Sequence, residues 1–508
     1  MPAPPSNPGV YVEETVHGRR AVEGVPTSVT AFVGRAPRGP IDGDAASPVR
    51  VRSHGDYARV FGGLASDSPM SFAVRHFFDN GGHDALIVRV HHGAVAARTP
   101  APAEGWQFEA ASPGSWGNHL RLRVDHDAVA DDSSFNLRVQ DQATQAAEVF
   151  LHLSITPGHP RFAAAVLARD SQLLRVAATS GARPEAGADG VPLAGGGDGA
   201  AIGVEHIAGT GLREARRGLY ALEKADLFNL LVLPPFSDDP ADAADVDHAT
   251  WCAAIAYATE RRAVVLVDPP YHAGRWTGTA GITLDGVAAV AGLGVNAALY
   301  FPRIHAANPL RGNWPEAFAP SGAVAGVIAR TDGTRGVWTA PAGLEATLAG
   351  VPALDVSLTD GQNGVANPLG VNCLRMFPAG AVVWGARTLQ GADELSSDWK
   401  YLSVRRTALF LEESIDRATR WAAFESNGEA LWADLRRQIG AFLEILFRQG
   451  AFRGRTAEQA YFVLCDRGTT TPADVDQGVV NVRVGFAPLR PAEFVLVRVR
   501  QRAANPAP

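Results

Sequence analysis

The sequence predicts a multidomain α+β protein, and three observations carry this prediction. The chain has 508 residues, too many for one ordinary hydrophobic core, so we expect two to four domains. Between residues 205 and 365, continuous apolar runs alternate with helical segments, which indicates buried strands in a sheet covered on both faces. Between residues 99 and 190, apolar and polar residues alternate singly, which indicates half-buried strands of a β-rich insertion.

The first hundred residues predict a compact α/β segment. Thr30–Gly34 (TAFVG) has the pattern of a buried strand, and Ser71–Asp79 that of a helix. The run Asn80–Gly82 would end this helix, because glycine suits the left-handed position after a helix terminus. Ala85–Val90 is then a strand, and the Pro-rich run Thr99–Ala103 a linker.

The middle of the chain predicts strands first in alternating and then in continuous apolar patterns. The alternating runs are His119–Val124, Phe135–Val139 and Val149–Ile155, and the Gly-rich stretch 181–200 marks a boundary after them. The α/β part then predicts helices at Gly211–Ala225 and Ala249–Thr259, with strands at Leu227–Leu233, Ala263–Val267 and Ala297–Tyr300.

The last third predicts two long helices between short strands. The first helix extends from about Trp399 to Phe424, with Ser396 or Ser397 as its N-cap. The second extends from Asn427 to Gln449, and its apolar residues form one stripe at spacings of 3, 4, 3 and 4: Trp432, Leu435, Ile439, Phe442 and Leu446. The predicted strands are Leu374–Phe377, Ala381–Trp384, Tyr461–Cys465 and Val479–Val484.

The composition is that of a globular protein and excludes several function classes. Hydrophobic residues make up 46% and charged residues 19%, and a net charge of −7 gives no argument for nucleic acid or an acidic membrane as partner. Three cysteines do not make a disulfide framework, so we expect reduced, buried thiols and assembly in a cytosol. The N-terminal residues lack the pattern of a signal peptide, and no apolar window approaches the ~18 residues of a membrane span.

Several motifs suggest enzyme or metal chemistry but lack its spacing. The loop Leu193–Gly199 (LAGGGDG) has neither a dinucleotide fingerprint nor a Gly-Lys-Ser/Thr ending, so we interpret it as a turn. Asp268, His305 and Ser321 are a conceivable nucleophilic triad, but Ser321 does not lie in a nucleophile elbow. The His91-His92 pair and the run Asp125–Asp127 lack a third ligand at metal-site spacing, and Asp474–Gly478 lacks the acidic residue that closes a calcium loop. We therefore expect no cofactor and no metal.

Two strand-like runs lie at opposite ends of the chain, and each lacks an adjacent partner. They comprise Val10, Tyr11, Val12, Glu13 and Glu14 at the start, and Phe494, Val495, Leu496, Val497, Arg498, Val499 and Arg500 at the end. An isolated strand must satisfy its backbone N–H and C=O groups elsewhere. Each run is either an edge strand of its own subunit or an arm that adds to a sheet of a neighbouring subunit by β-augmentation.

The second C-terminal helix carries charged residues opposite its apolar stripe. They are Arg436, Arg437, Glu444 and Arg448, and Arg453 and Arg455 extend the positive run past the helix. This arrangement is either a solvated helix face or a docking face for an acidic partner, and the sequence leaves both interpretations open.

Ordered motifs along most of the chain resemble contractile-tail sheath proteins, which occur in phage tails and phage-tail-like injection systems. The most distinctive C-terminal motifs are Asn367–Arg375 (NPLGVNCLR), Trp384–Leu389 (WGARTL), Tyr401–Arg406 (YLSVRR) and Ala487–Phe494 (APLRPAEF). Similar runs in the rest of the chain are Pro8–Glu14, Phe32–Pro40, Phe77–Val90, Ala298–Arg303, Pro320–Gly326 and Gly333–Gly343.

The resemblance implies a domain order. It comprises an N-terminal linker arm (1–25), the N-terminal part of the inner sheath domain (26–98) and a β-rich insertion domain (99–190). A central subtilisin-like α/β domain (191–365), a C-terminal inner domain facing the tube (366–490) and a C-terminal linker arm (491–508) follow.

The resemblance also implies a structural function rather than catalysis. The expected partners are further copies of the chain in a helical polymer, an inner tube protein, and baseplate and tail terminator proteins, with no nucleic acid and no membrane insertion. Contraction would release energy stored at assembly, and the two arms would hold neighbouring subunits together. A true virus or prophage tail is an alternative to an injection system. A hydrolase that uses the central domain and a secreted or surface adhesin are distant alternatives.

Overall fold

The computed structural model describes residues 21–100, 105–129, 131–187, 190–237, 244–270, 277–278, 281–282 and 293–493. The chain divides into two compact units. The larger unit comprises Pro26–Leu409 and Arg490–Pro508, and the smaller unit comprises Met1–Val25 and Phe410–Leu489. The boundary falls within the helix Leu402–Thr419.

An eight-stranded mixed sheet is the framework of the larger unit. Its strands follow one another in the order Gly380–Val383, Val371–Phe377, Ala297–Phe301, Val264–Val267, Leu230–Val232, Thr30–Gly34, Ala85–Arg89 and Val49–Val51. The six inner strands are parallel, and the outermost strand at each edge is antiparallel. Segments 26–98, 191–365 and 366–490 therefore contribute strands to one sheet, and the domain boundaries drawn from the resemblance stay a prediction.

Both faces of this sheet are covered, as the continuous apolar runs predict. Along the first strand, Ala31 and Val33 enter one core and Phe32 enters the other, because successive side chains point to opposite faces. The helix His248–Glu260 contributes to the first core. The helices Pro69–Asp79 and Ser321–Arg335 contribute to the second.

The remaining elements of the larger unit are short. A three-stranded sheet has the order Trp314–Phe318, Ile304–Asn308, Ala353–Leu354, and a hairpin pairs Thr277–Gly278 with Gly281–Ile282. Among the described residues of this unit, the other α-helices outside the insertion are His54–Phe61, Val204–Ile207 and Asp360–Ala366. The described 3-10 helices are Ser115–His119, Gly218–Lys224, Pro309–Arg311, Asn367–Leu369 and Asp393–Leu395.

The segment between Gln107 and Pro192 is β-rich and has its own core, as its alternating pattern predicts. A four-stranded antiparallel sheet has the order Ala147–Ser154, Ser134–Asp141, Leu120–Asp125, Val191–Pro192. A second pair joins Gln107–Ala110 to Leu174–Ala178, and the one α-helix of the described part of this segment is Ala163–Asp170. Buried side chains from all these layers, among them Trp106, Phe135 and Leu167, form one cluster.

The smaller unit is built on two helices and a hairpin. Phe410–Thr419 is its share of the first long helix, which a 3-10 turn at Arg420–Ala422 follows, and Glu429–Arg448 is the second. The predicted apolar stripe of the second helix is buried in full. The hairpin pairs Tyr461–Leu464 with Arg483–Phe486, and the short helices are Ala457–Ala460 and Pro472–Asp476.

The predicted helix at Gly211–Ala225 is wrong, because the backbone there turns instead of continuing. Gly211 and Gly218 adopt φ values of 81° and 56°, and only Gly218–Lys224 winds into a 3-10 helix. A Cβ on Gly218 would lie 2.4 Å from the carbonyl oxygen of Ile207, so this turn requires glycine. The apolar pattern of the segment reflects burial of Leu219 and Leu222 rather than an α-helical stripe.

Three smaller predictions also need correction. The first long helix begins at Leu402, and Ser397 accepts a hydrogen bond from the backbone N–H of Trp399 (3.1 Å) in the turn before it, so neither predicted serine is its N-cap. Cys373 and Cys465 are buried free thiols, but Cys252 is exposed. The strand expected at Val479–Val484 starts four residues later, at Arg483.

Among the described helices, none is both long enough and apolar enough to cross a bilayer.

Candidate functional site

All four C-terminal motifs meet around the side chain of Arg387, which is fully buried. Arg387 belongs to WGARTL, and its guanidinium donates to both carboxylate oxygens of Glu493 in PAEF, from Nε to Oε1 (2.7 Å) and from Nη2 to Oε2 (2.6 Å). Tyr401, which opens YLSVRR, places its hydroxyl 3.4 Å from Glu493 Oε2. This planar two-bond geometry is the strongest form of an arginine–carboxylate contact.

The remaining donors of Arg387 are also satisfied. Nη1 donates to the carbonyl oxygens of Asn367 (2.7 Å) and Gly391 (3.1 Å) and to Asp393 Oδ1 (3.1 Å). Lys400 Nζ lies 2.6 Å from Asp393 Oδ1 and 3.8 Å from Glu493 Oε2. Two cations and two carboxylates therefore neutralise one another. We call Arg387, Asp393, Lys400, Tyr401 and Glu493 the arm-root cluster, because Glu493 directly precedes the predicted strand of the C-terminal arm, Phe494–Arg500.

The backbone that carries Arg387 is fixed by Asn372 of the motif Asn367–Arg375 (NPLGVNCLR). The Asn372 side-chain oxygen accepts from the backbone N–H of Arg387 (2.6 Å), and its amide donates to the Arg387 carbonyl (2.8 Å). Gly391 permits the close approach of this turn, since a Cβ there would lie 2.7 Å from the carbonyl oxygen of Thr388. The motif residues thus fix the backbone of the arginine through contacts that do not involve Glu493.

The charges of the cluster shift the pKa values of Arg387 and Asp393 in the directions expected for ion pairs. Burial alone would lower the pKa of Arg387, but the hydrogen bond and charge of Glu493, together with Asp393, raise that pKa overall. The hydrogen bond from Lys400, followed by the charge of Arg387, lowers the pKa of Asp393. Both groups therefore stay charged across the neutral range.

A second buried arginine anchors the chain just after the predicted N-terminal arm. Arg406, in YLSVRR, donates to both oxygens of Asp332 (2.8 and 2.6 Å), and both side chains are 3% exposed. Arg406 also donates to the carbonyl oxygen of Thr27 (2.9 Å), and the Thr27 hydroxyl donates to Asp332 (2.7 Å). We call Thr27, Asp332 and Arg406 the N-terminal anchor.

The predicted arm strands themselves, Val10–Glu14 and Phe494–Arg500, lie outside the described residues, and their pairing stays a prediction. The arginines that anchor the adjacent chain were not among the residues predicted for the site. A signal was nevertheless present: an arginine within the otherwise uncharged run WGARTL implies a buried cation, and a buried cation requires a partner.

The charged face of the second long helix is occupied by pairs within the chain. Arg437 donates to Asp434 (2.6 Å) and Arg448 to Glu444 (2.8 Å), both on the helix surface. Arg436 donates to Glu429 (2.9 Å) and to the carbonyl oxygen of Cys465. The hydroxyl of Tyr461 donates to Glu444 (3.0 Å), so this glutamate holds the hairpin as well as Arg448.

Arg453 and Arg455 differ from these helix arginines. Both are exposed, and within the described residues neither guanidinium forms an ion pair, although the backbone N–H groups bond to Ala487 O and Gln459 Oε1. Six residues were predicted as a docking face, and the resemblance places them in the domain facing the tube. Of these six, Arg453 and Arg455 carry positive charges that no described ion pair balances.

The conceivable triad of Asp268, His305 and Ser321, which the sequence did not favour, does not have the geometry of a nucleophile. Ser321 is completely buried at the start of its helix, where its hydroxyl donates to Asp268 Oδ2 (2.6 Å) and its N–H to Oδ1 (2.8 Å). His305 Nε2 lies 3.4 Å from Asp355 instead. A carboxylate that accepts from the first turn of a helix stabilises that helix, so the Ser321–Asp268 contact is structural.

The glycine loop and the metal candidates also have structural surroundings. In Leu193–Gly199, Asp198 accepts from the backbone of Ser115 (2.8 Å) and Gly197 pairs with Val95, as in a turn. His92 stacks on His206 at 4.1 Å between ring centres. In the part of the chain that the structure describes, no three His, Cys, Asp or Glu side chains are grouped to hold a metal ion.

Comparisons with known proteins assign the fold. Residues 394–502 match the family model of the phage tail sheath C-terminal domain. The helical sheath of the anti-feeding prophage in its contracted state matches 98% of this chain and 100% of that chain, with a TM-score of 0.59 and 24% identity. The chain has the sheath-protein fold. The resemblance predicted from the sequence is thereby confirmed.

Two further relatives agree. The sheath complex of an extracellular contractile injection system, PVC, in the contracted state is a second match. It covers 98% of this chain and 99% of the PVC chain, with a TM-score of 0.57 and 22% identity. The tail sheath protein of Vibrio phage KVP40 is 25% identical over 177 residues, which is 34% of this chain. That match spans only 25% of the phage protein's length. Both the arm-root cluster and the Arg406 side of the N-terminal anchor draw on residues of the matched C-terminal domain.

Proposed function

We propose that this chain is the structural subunit of a contractile sheath, which polymerises helically around an inner tube and contracts to drive the tube through a target envelope. The likeness to sheath chains over 98% of the sequence supports the proposal. The subunit would assemble in the bacterial cytoplasm with an inner tube protein, a baseplate and a tail terminator, and it would act without catalysis. The KVP40 match equally supports a virus tail as the particle.

The observation that carries the proposal is the pair of buried anchors beside the two predicted arms. An arm that adds a strand to a neighbouring subunit transmits load to its own subunit through the first residues after it. Breaking a buried, hydrogen-bonded ion pair costs about 3–5 kcal/mol, against about 0–1 kcal/mol for an exposed one. The arm-root cluster and the N-terminal anchor are therefore suited to hold while subunits move during contraction.

We further infer the domain roles that the resemblance implies. The region 191–365 would be the central, subtilisin-like domain, the insertion 99–190 would lie further from the tube, and the region 366–490 would face it. Both arms, Val10–Glu14 and Phe494–Arg500, would extend sheets of adjoining copies. The parallel strands between Leu230 and Phe301 support an α/β centre of this kind.

Deletion of residues 1–14 tests the arm. The truncated chain should keep its far-UV circular dichroism and thermal transition but form no sheath tubes in negative-stain microscopy, where the full chain forms them. Ordered tubes of normal length from the truncated chain would refute the arm proposal.

A milder variant tests the anchor without removing an arm. Glu493→Ala leaves Arg387 buried without its principal partner, so we expect a folded chain that forms few or short tubes. Arg490→Ala is the matched control, because its pair with Asp398 is long (3.5 Å) and exposed. Equal tube yield from the two variants would contradict the role of the arm-root cluster.

A further inference from the structure

We propose that the solvent-facing side of the insertion sheet is a contact surface between neighbouring copies of this chain, in which the basic face of one copy meets an acidic loop of the next. The basic face consists of Arg121, Arg123 and Arg138. The acidic loop consists of Asp127, Asp131 and Asp132. The inference rests on the proposed sheath function for the identity of the neighbours.

The pleat of the sheet places the three arginines on one side. In the strand Leu120–Asp125, Leu122 and Val124 enter the insertion core, so Arg121 and Arg123 point the other way. Arg138 lies directly opposite Arg123 in the antiparallel register, and all three arginines are exposed. The result is a compact patch of like charge on a flat sheet.

Within the described chain this patch has no ion pair, although the charge of Asp125 on the same strand interacts with Arg123. None of the three guanidinium groups forms an ion pair with a described carboxylate, and like charges directly opposite on neighbouring strands destabilise a sheet. Beside the arginines, Val149 pairs with Arg138 and is 55% exposed, while Leu151, on the same edge strand, is 53% exposed. A basic patch flanked by exposed aliphatic side chains is costly in an isolated subunit and favourable against an acidic partner.

The acidic partner is present on the same domain. The loop after Asp125 carries Asp127, Asp131 and Asp132, all exposed, and Asp132 pairs with the half-buried side chain of Arg183 (3.0 Å). Asn136 fixes the start of this loop by donating to Asp125 Oδ1 (2.8 Å) and to the carbonyl oxygen of Asp127 (2.9 Å).

One copy therefore offers a basic patch on two paired strands and an acidic loop in the connection between them. Each copy can engage a neighbour on either side, and such head-to-tail contacts generate open helical arrays. The chain's net charge of −7 also favours another copy over a polyanion as the partner of the arginines, since the rest of its surface is acidic on balance.

Charge reversal with rescue tests the proposal. The basic-reversal variant is Arg123→Glu with Arg138→Glu, and the acidic-reversal variant is Asp131→Arg with Asp132→Arg. Each should raise the critical concentration for polymerisation about tenfold at low salt. A chain with all four substitutions, or an equimolar mixture of the two variants, should restore it, because every contact is then complementary again. Arg169→Glu, an exposed site on the helix of the same domain, is the control and should change little.

The outcomes separate this inference from the proposed function. Unchanged polymerisation of either reversal variant overturns the inference, as does a loss that neither the fourfold variant nor the mixture restores. A polyanion resin that retains the wild-type chain but not the basic-reversal variant, while both polymerise equally, would assign the patch to a polyanion. That result would also overturn the inference. If neither the wild-type chain nor any variant forms tubes, sedimentation can still measure self-association. Self-association that each reversal weakens and the fourfold variant restores would support the contact and contradict the sheath function.

Discussion

At the scale of single residues, the protein depends on charges buried with their partners. Arg387 and Arg406 each join the C-terminal motifs to a chain segment far away in sequence, and each satisfies a carboxylate with two hydrogen bonds. Such a pair adds little net stability over an apolar contact of the same shape, but losing one partner leaves the other charge buried. These positions therefore tolerate substitution poorly.

Asp332→Ala should destabilise the larger unit strongly. It leaves Arg406 buried and removes the acceptor of Thr27, so we expect a loss of about 3–5 kcal/mol in the free energy of unfolding. Asp434→Ala is the comparison, because its pair with Arg437 is exposed and is worth at most about 0.5–1 kcal/mol. Chemical denaturation followed by circular dichroism measures both, and similar losses would contradict the importance of burial.

His76 should make the larger unit less stable in mild acid. Burial, with a smaller contribution from Arg75, lowers its pKa from 6.5 to about 4. The folded state thus keeps His76 neutral while the unfolded state takes up a proton below about pH 6.5, so the free energy of unfolding falls as the pH drops from there to about 4. The full loss is about 3 kcal/mol by linkage.

His76→Phe removes this titration and keeps a ring next to Phe318, whose ring centre lies 5.2 Å away. We expect the variant to lose less stability than the wild type between neutral pH and about pH 5. Other histidines with lowered pKa, such as His54, titrate in both chains, so the difference between the chains isolates His76. Parallel pH profiles of the two chains would show that His76 is not responsible.

Residue-level predictability was uneven for a physical reason. The C-terminal motifs marked the correct segments, but the sequence alone did not pair Arg387 with Glu493, which lies 106 positions away. The ion pairs of the charged helix face are local in sequence, so helix geometry alone brings their partners together. Spacings of three and four residues place Arg437 beside Asp434 and Arg448 beside Glu444.

At the scale of elements, the most informative contact is the close packing of the helix Ser321–Arg335 against the helix Pro69–Asp79. Gly322 and Gly326 of the PSGAVAG motif face the second helix, where added Cβ atoms would lie 2.2 Å from Ala73 O and 2.4 Å from Phe77 O. Small residues four apart let two backbones approach closely. The motif, whose serine lacks the sequence of a nucleophile elbow, is thus a packing surface.

Gly326→Val should disrupt this helix pair. The added side chain overlaps backbone that cannot move freely, so we expect a loss of at least about 1–3 kcal/mol in the free energy of unfolding. Gly333→Ala on the same helix is the matched control, since a Cβ there meets nothing within 4 Å. Removing a helix glycine without a clash should stabilise by about 0.5–1 kcal/mol. Opposite signs for the two variants are the expected result in thermal unfolding.

Strong periodic patterns predicted most elements correctly, and backbone geometry explains the exceptions. The stripe of the helix Glu429–Arg448 and the continuous strands Val264–Val267 and Ala297–Phe301 agree with the prediction. The segment 211–225 failed because hydrophobic spacing does not reveal a positive φ, here at Arg216 as well as at two glycines.

At the scale of the whole molecule, the sequence predicted the classes of segment but not how they combine. The strand Thr30–Gly34 lies between Leu230–Val232 and Ala85–Arg89, so partners about 200 positions apart share one sheet. Strand order is decided by packing between distant segments, which local periodicity does not contain. The resemblance to sheath proteins predicted the sheath-protein fold, and the comparisons confirmed that fold.

Contact with the inner tube should depend more on Arg453 and Arg455 than on the helix arginines. Reversal of Arg453 and Arg455 to Glu changes charges that have no described ion-pair partner, so we expect co-sedimentation with tube protein to fall about tenfold or more. Reversal of Arg436, Arg437 and Arg448 should weaken it less, because these charges are already balanced within the chain. The opposite order would move the docking surface onto the helix.

The position of the strand Thr30–Gly34 in the middle of the sheet also orders events at the ribosome. The strand emerges early but finds its neighbour Leu230–Val232 only some 10–40 s later, at a synthesis rate of about 5–20 residues per second. Glu493 is made later than either strand and then closes on Arg387. The arm-root cluster therefore cannot form until residue 493 has left the ribosome, well after the strand Thr30–Gly34 has emerged.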